Sequence, residues 1–360
     1  MKQKIYTSLF FLIICSITLN AQDKTKVVKS FENNWIIPEG VKVKFETFEE
    51  RETILLNGRI FTKNENFCNG IIEVDVFANQ KRSFAGIIFR NQEGTREEAY
   101  MRMHKSKQPD AVQYTPTYNG ESAWQLYSEH QVNVVFKKEG WNTLRIETIG
   151  QKASIFVNDK KVHTVHKLKT GNIDGQLGLF SLFENRFSNF KFTKTDSIKI
   201  EQKSKNSSKD PNIIKNWAIT QATLYTEENF DPKGLSDEKK IFAYTEDSGL
   251  LPISKYIEKS VSGNFEGNPE VYTIASIEIK ADKEDKKLFS FDYSDKIIVY
   301  LNGQPIFFGN NAFRSKGIQF KGHLNINANR LHLNLNKGKN VLECVVIDRA
   351  NGWGLMGKLE

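Results

Sequence analysis

Short runs of alternating apolar and polar residues, closed by two-residue turns, constrain this chain more than any other feature. Ile71–Phe77, Thr143–Thr148, Ser154–Val157 and Ile297–Leu301 all read with the period of an extended strand. Val157-Asn158-Asp159-Lys160 and Leu301-Asn302-Gly303-Gln304 each bring in residues that tolerate the positive φ of a tight hairpin. Helical periodicity is nearly absent, and the stretch Ile253–Glu258 is the one short candidate. Many short strands at such spacing predict an all-β chain built from β-sandwich, or jelly-roll, units.

The organisation follows from where the pattern stops. Met1–Ala21 reads as a secretory signal: Lys2 and Lys4 precede the apolar run Leu9–Ile14, and Asn20-Ala21-Gln22 offers a cleavage end. The run is too short for a retained membrane span. Cys15 follows Ile14, where a lipoprotein site wants a small residue. No later stretch is long and apolar enough for an integral membrane segment, so a secreted or periplasmic protein is expected. Lys194–Asn212 lacks apolar period and contains Ser204-Lys-Asn-Ser-Ser-Lys-Asp-Pro211, the composition of a flexible tether. The expected layout is a signal over 1–21, a first sandwich over 22–193, a linker over 194–212 and a second sandwich over 213–360. The two sandwiches are expected to fold independently.

Charge and cysteines exclude some classes. The formal net charge of +8 is spread along the chain. The basic run Lys203–Lys209 has no aromatic interleaving, so a nucleic-acid surface is not expected. Cys68 and Cys344 survive processing, and Cys344 shares the phase of Leu342 and Val346, which reads as an apolar buried position. No C-x-x-C occurs and the six histidines are scattered, so a Cys/His metal centre is not expected. Asp292, Asp295 and Asn302 supply oxygens of the kind calcium takes, or cap turns; no other cofactor is implied.

One stretch carries chemistry in unusual density. Glu98-Ala-Tyr-Met-Arg-Met-His104, Asp110-Ala-Val-Gln-Tyr-Thr-Pro-Thr-Tyr118 and Asn119-Gly-Glu-Ser-Ala-Trp-Gln-Leu-Tyr127 bring together Tyr100, Arg102, His104, Asp110, Gln113, Tyr114, Asn119, Trp124 and Gln125. At period two, Tyr100, Arg102 and His104 share one strand face. Flat rings with planar forked donors suit a polyhydroxylated ligand. Arg90, in phase with Gly86 and Ile88, is expected to face the same ligand surface, with a pairing to Glu73 or Asp75 as the structural alternative. His104 is the candidate base, and Asp110 a second catalytic candidate or a turn cap. Trp124 reads as a lid over the groove or an edge plug. Glu73 and Asp75 could form an acid pair on one strand, as two-carboxylate glycosidases require. Phe77 stands at the next outward position, so that pair lacks a further carboxylate.

Gly70-Ile-Ile-Glu-Val-Asp-Val76, Phe84-Ala-Gly-Ile-Ile-Phe-Arg90, Trp141-Asn-Thr-Leu-Arg145 and Gly175-Gln-Leu-Gly-Leu-Phe180, in that order, resemble the concanavalin A-like lectin/glucanase superfamily. Its laminin-G-like and 3-keto-disaccharide-hydrolase-like branches are nearest. The resemblance covers about residues 28–193 and implies a jelly roll carrying glycan on a concave sheet. Phe289–Lys296, Val299–Pro305, Leu333–Leu342 and Asn351-Gly-Trp-Gly354 resemble galactose-binding-like jelly rolls over about 213–360. Trp353, between glycines, is either an exposed ring or a plug at the sandwich end.

These readings lead to a secreted carbohydrate-binding protein. The rivals are a glycoside-modifying enzyme using Arg90, His104 and Asp110, and an adhesion protein presenting a broad apolar patch.

Overall fold

The computed structural model describes residues 25–78, 81–195, 210–228, 230, 239–259 and 267–360. The expected signal and most of the expected linker lie outside these residues. Strands form where alternation predicted them: Gly70–Ala78, Gly140–Ile149, Lys152–Val157 and Lys296–Leu301. Both hairpin turns take positive φ, at Asn158 (48°) and Asp159 (64°), and at Asn302 (53°) and Gly303 (75°). The helical candidate reduces to one 3-10 turn, Ile253–Lys255.

The first sandwich is a single 14-stranded sheet folded on itself. The fold line is the strand Gln176–Lys194, which shifts register between Ser181 and Asn185 and again between Ser188 and Lys191. Phe183 and Asn189 take positive φ at those irregularities. Bulges bend and twist a strand, so its first half pairs with Phe84–Gln92 and its second with Gly70–Ala78. A front layer results, running Gln131–Val132, Val112–Tyr118, Thr95–Met101, Phe84–Gln92 and then the first half of the long strand. The back layer holds Gly70–Ala78, Gly140–Ile149, Lys152–Val157 and Lys160–Val165. Ala85, Ile87, Phe89, Ala99 and Met101 point inward from the front, and Ile72, Val74, Val76, Leu144 and Ile146 from the back.

The layers differ in what covers them. In the back layer burial alternates residue by residue, as in Gly70–Ala78, so its outer face meets water. In the front layer every residue of Val112–Tyr118 is buried. Something therefore packs on the front layer's outer face.

The cover comes partly from the second sandwich, a seven-stranded sheet over a four-stranded one. Its core holds Trp217, Phe289, Phe291, Tyr293, Cys344 and Trp353. Trp353 is fully buried, so it is the plug rather than an exposed ring. Tyr118, Ala123, Leu126 and Tyr127 of the first sandwich form one apolar cluster with Leu250 and Met356 of the second. Beside it Lys259 lies 2.6 Å from Asp348 and 3.2 Å from Glu121, all three buried. Tyr127 Oη donates to Glu246 at 2.6 Å, and Lys169 pairs with the same carboxylate. Gly352 lets the chains approach at this seam, because a Cβ there would lie 2.8 Å from the Ala123 Cα.

Candidate functional site

The register of the front layer sets one row across its outer face. Arg59 pairs with Phe180, Phe180 with Gly86, Gly86 with Tyr100, Tyr100 with Gln113, and Gln113 with Gln131. Directly paired residues in antiparallel strands share a face, so the five side chains of the row line up on the outer side with Gly86 between them. Gly86 opens the middle of the row. The rings of Phe180 and Tyr100 meet across it, edge to face, at 5.6 Å. Arg59 lies over Phe180 at 4.6 Å. The row is thus aromatic at its centre and amide- or guanidinium-bearing at its ends.

Hydrogen bonds fix the polar end. The Gln113 amide oxygen accepts from Tyr100 Oη (3.1 Å), Arg102 Nη2 (2.5 Å) and Gln131 Nε2 (3.1 Å). Gln113 Nε2 donates to the Trp124 carbonyl at 2.7 Å. Arg102 also donates to Tyr100 Oη and to the Asp110 carbonyl, and its guanidinium lies 4.8 Å from the Tyr100 ring centre and 5.5 Å from that of Phe84. Such a network holds each planar group in one orientation.

Titratable groups around the row are poised unequally. Burial opposes ionisation of Glu98, but the charges and hydrogen bonds of Arg96 and Arg59 win and hold it below the usual carboxylate range. Burial likewise opposes ionisation of Asp110, and the Lys105 hydrogen bond with the Arg102 charge overcomes it. Both carboxylates are ionised at neutral pH. Burial lowers His104, whose Nδ1 lies 3.1 Å from the Ser83 carbonyl oxygen and whose ring sits edge-on to Phe84. His104 is therefore a neutral base.

The structure brings Tyr100, Arg102, His104, Asp110, Gln113 and Trp124 to this end of the front layer. The strand carrying Tyr100 ends at Met101, and His104 sits in the 3-10 turn Met103–Lys105. Arg102 joins Tyr100 by direct contact, and His104 through Phe84, rather than through strand phase. The Trp124 ring, half-buried, meets Phe313 at 5.7 Å and His323 at 6.0 Å, both from the second sandwich.

Other expected site residues lie elsewhere. Arg90 is fully buried and does not face the expected ligand surface. The strand loses its period there: Arg90 has φ 53° and register shifts between Phe89 and Gln92. Its guanidinium donates to the carbonyls of Cys68 (2.8 Å), Gly150 (2.6 Å) and Asn172 (3.2 Å), strapping loops at the sandwich end. It pairs with neither Glu73 nor Asp75. Tyr114 neighbours Gln113 and so points to the opposite, inner face, where its hydroxyl donates to buried Glu97. Asn119 donates to the Ser254 carbonyl and Gln125 to the Lys321 carbonyl, so both serve the seam.

Glu73 and Asp75 stand on the outer face of the back layer, across the core from Tyr100 and His104. Glu73 pairs with Lys191 at 2.7 Å; Asp75 accepts from Arg51, Thr143 and Asn189. No catalytic pair joins them to the front site. The three oxygen-bearing residues of the second sandwich also part company. Asp292 accepts from Asn311, Asn325 and Asn329, Asp295 from Ser294, and Asn302 bonds Asn340 and Val341 of the adjoining strand Gly338–Asp348. Among the described residues no cluster of three or more His, Cys, Asp or Glu could hold a metal. None of the described helices is long and apolar enough to cross a membrane.

Sequence reading missed Arg59, Phe84, Phe180 and Gln131 of the front face, and Phe313, Lys321 and His323 of the second sandwich. The local signal was Gly86. A Cβ there would lie 2.2 Å from the Ala99 carbonyl oxygen, so the glycine marks a close approach between strands.

Residues 22–194 match the 3-keto-alpha-glucoside-1,2-lyase-like domain family. No curated protein matches the chain. Among solved structures it is similar to carbohydrate-binding module CBM66 from Bacillus subtilis, at 17% identity over 44% of this chain and 94% of that chain, with a TM-score of 0.35. It is similar to a putative glycosyl hydrolase from Parabacteroides distasonis, at 16% identity over 48% of this chain and 100% of that chain, TM-score 0.35. A third similar structure is a Bacillus licheniformis beta-glucanase, at 11% identity over 48% of this chain and 98% of that chain, TM-score 0.36.

Proposed function

We propose that the outer face of the front layer binds a carbohydrate. The row Arg59–Phe180–Gly86–Tyr100–Gln113–Gln131 carries the reading. The partly exposed Phe180 ring, backed by buried Tyr100, offers an apolar platform for the C–H face of a sugar, and the half-buried Arg59 guanidinium and Gln131 amide at either end suit its hydroxyls. Trp124 and Phe313 bound the site at the seam. A binding site of this kind needs no acid–base pair. Hydrolysis through two carboxylates does need one protonated member, and Glu98 and Asp110 are both held ionised. A glycan array probed with the chain tests the reading: a defined set of retained glycans supports it, and retention of none defeats it.

A second reading has one observation behind it, the match of residues 22–194 to a 1,2-lyase-like domain. Elimination needs a base to take a carbon-bound proton. His104, neutral and half-buried beside the Arg102 charge, is the side chain suited to that role. Methyl 3-keto-α-glucoside is the probe. Release of methanol that is lost in His104→Ala supports the lyase; no release by the wild type retires it.

A further inference from the structure

Positive charge at the seam end of the front site exceeds what its carboxylates answer. The Arg102 side chain is buried, yet its hydrogen bonds go only to neutral acceptors: the Asp110 carbonyl, Tyr100 Oη and Gln113 Oε1. A buried charge ordinarily finds an opposite one. Asp110 answers Arg102 only through space, and its carboxylate is bonded by Lys105, so one negative charge serves two positive ones. Two more cations come from the second sandwich. Lys321 Nζ and the Arg314 guanidinium both lie over the Phe313 ring, at 5.6 and 4.9 Å. Burial and the neighbouring charges of Lys105, Arg314 and Arg102 depress Lys321 against the opposing pull of Asp110. At the opposite end of the row the contacts differ, because Arg59 and Arg96 both pair directly with Glu98 there.

The segment that brings these cations is fixed in place. Gln131 bridges Gln113 and the His323 Nε2 (3.3 Å). Gln125 holds the Lys321 carbonyl at 3.0 Å. Gly322, at φ 69°, permits that contact, since a Cβ there would lie 2.6 Å from Gln125 Nε2.

We propose that the site takes an acidic glycan, its carboxylate or sulfate seated at the seam among Arg102, Lys105 and Lys321, so that the second sandwich sets the selectivity of the first. The proposal rests on the carbohydrate reading and specifies its ligand class. An anion there supplies further counter-charge beside Asp110 while its sugar ring lies toward the partly exposed Phe180. Charge-assisted hydrogen bonds of this kind are the strong ones.

The test compares acidic glycans with neutral twins on the full chain. One pair is oligogalacturonate and its methyl ester; the other is a sulfated carrageenan oligosaccharide and its desulfated product. The expected result is that an acidic member binds roughly tenfold or more tightly than its twin, the equivalent of one charged hydrogen bond. The preference should shrink with added salt and vanish in Lys321→Gln. Arg314→Gln, at an exposed position, provides a second variant that should weaken it, and thermal melting checks that both variants fold. If both neutral twins bind as tightly, if the preference survives Lys321→Gln, or if every glycan retained on an array is neutral, the proposal falls while the carbohydrate reading stands. A chain that retains no glycan of any kind defeats both.

Discussion

Gly86 and Tyr100 face each other on neighbouring strands so closely that a Cβ on Gly86 would lie 2.5 Å from the Tyr100 Cβ. That contact lets the Tyr100 and Phe180 rings close over the gap. It also makes Gly86 the most exacting position of the front face. Gly86→Ala should cost about 1–3 kcal/mol of stability, as overpacking does, and should weaken glycan binding by displacing Tyr100. Chemical denaturation and titration of the variant check both effects. An unchanged midpoint would mean that the strands part at little cost.

Lys259 should tie the two sandwiches into one cooperative unit. It bridges Asp348 of the second sandwich and Glu121 of the first, with little exposure at any of the three. Removing one member of a buried ion pair strands the others and costs about 3–5 kcal/mol. Lys259→Met should lose that much in denaturant unfolding. The wild type should unfold in one transition despite the polar segment between its sandwiches. Two separate transitions, with Lys259→Met affecting only the second, would show instead that the seam is incidental.

Acid should weaken the fold through His130. Burial, with the charge of Lys169 and the neighbouring His163 and His166, lowers this imidazole to about 3. A base whose folded pKa lies below its ordinary value favours the fold only while it is neutral. Its contribution is complete above about pH 6.5, the ordinary imidazole value, and is lost as pH falls toward the folded value. Stability measured from pH 7 to 4 should therefore decline, and His130→Gln should decline less steeply. Equal slopes for the two chains would assign the acid loss to other groups.

Local features were legible in the sequence, and long-range ones were not. The hairpins at Asn158-Asp159 and Asn302-Gly303 could be read because positive φ is a property of the turn residues themselves. Tyr100 and Gln113 could be found because polar and aromatic groups crowd one short stretch. Arg90 misled because a bulge breaks the period that phase arguments assume. Tyr114 misled because a dense cluster hides the alternation within it, and neighbours on a strand face opposite ways. Arg59 and Phe180 reach the site only through pairing with the long folded strand, which no local pattern announces. Phe313, Lys321 and His323 arrive from the other sandwich, and only the packed seam shows them.

The most direct test of the central claim is one titration series with the tightest glycan from an array, comparing the wild type with Phe180→Ala and Trp124→Ala on the front face and Glu73→Gln on the back. The account predicts that each front-face change costs about 1–3 kcal/mol of binding, the usual loss of an aromatic anchor, with melting temperatures confirming the fold. Glu73→Gln should bind like the wild type, because the core separates Glu73 from the row. Weakened binding in Glu73→Gln alongside wild-type affinity in Phe180→Ala and Trp124→Ala would place the ligand on the back layer and contradict the account.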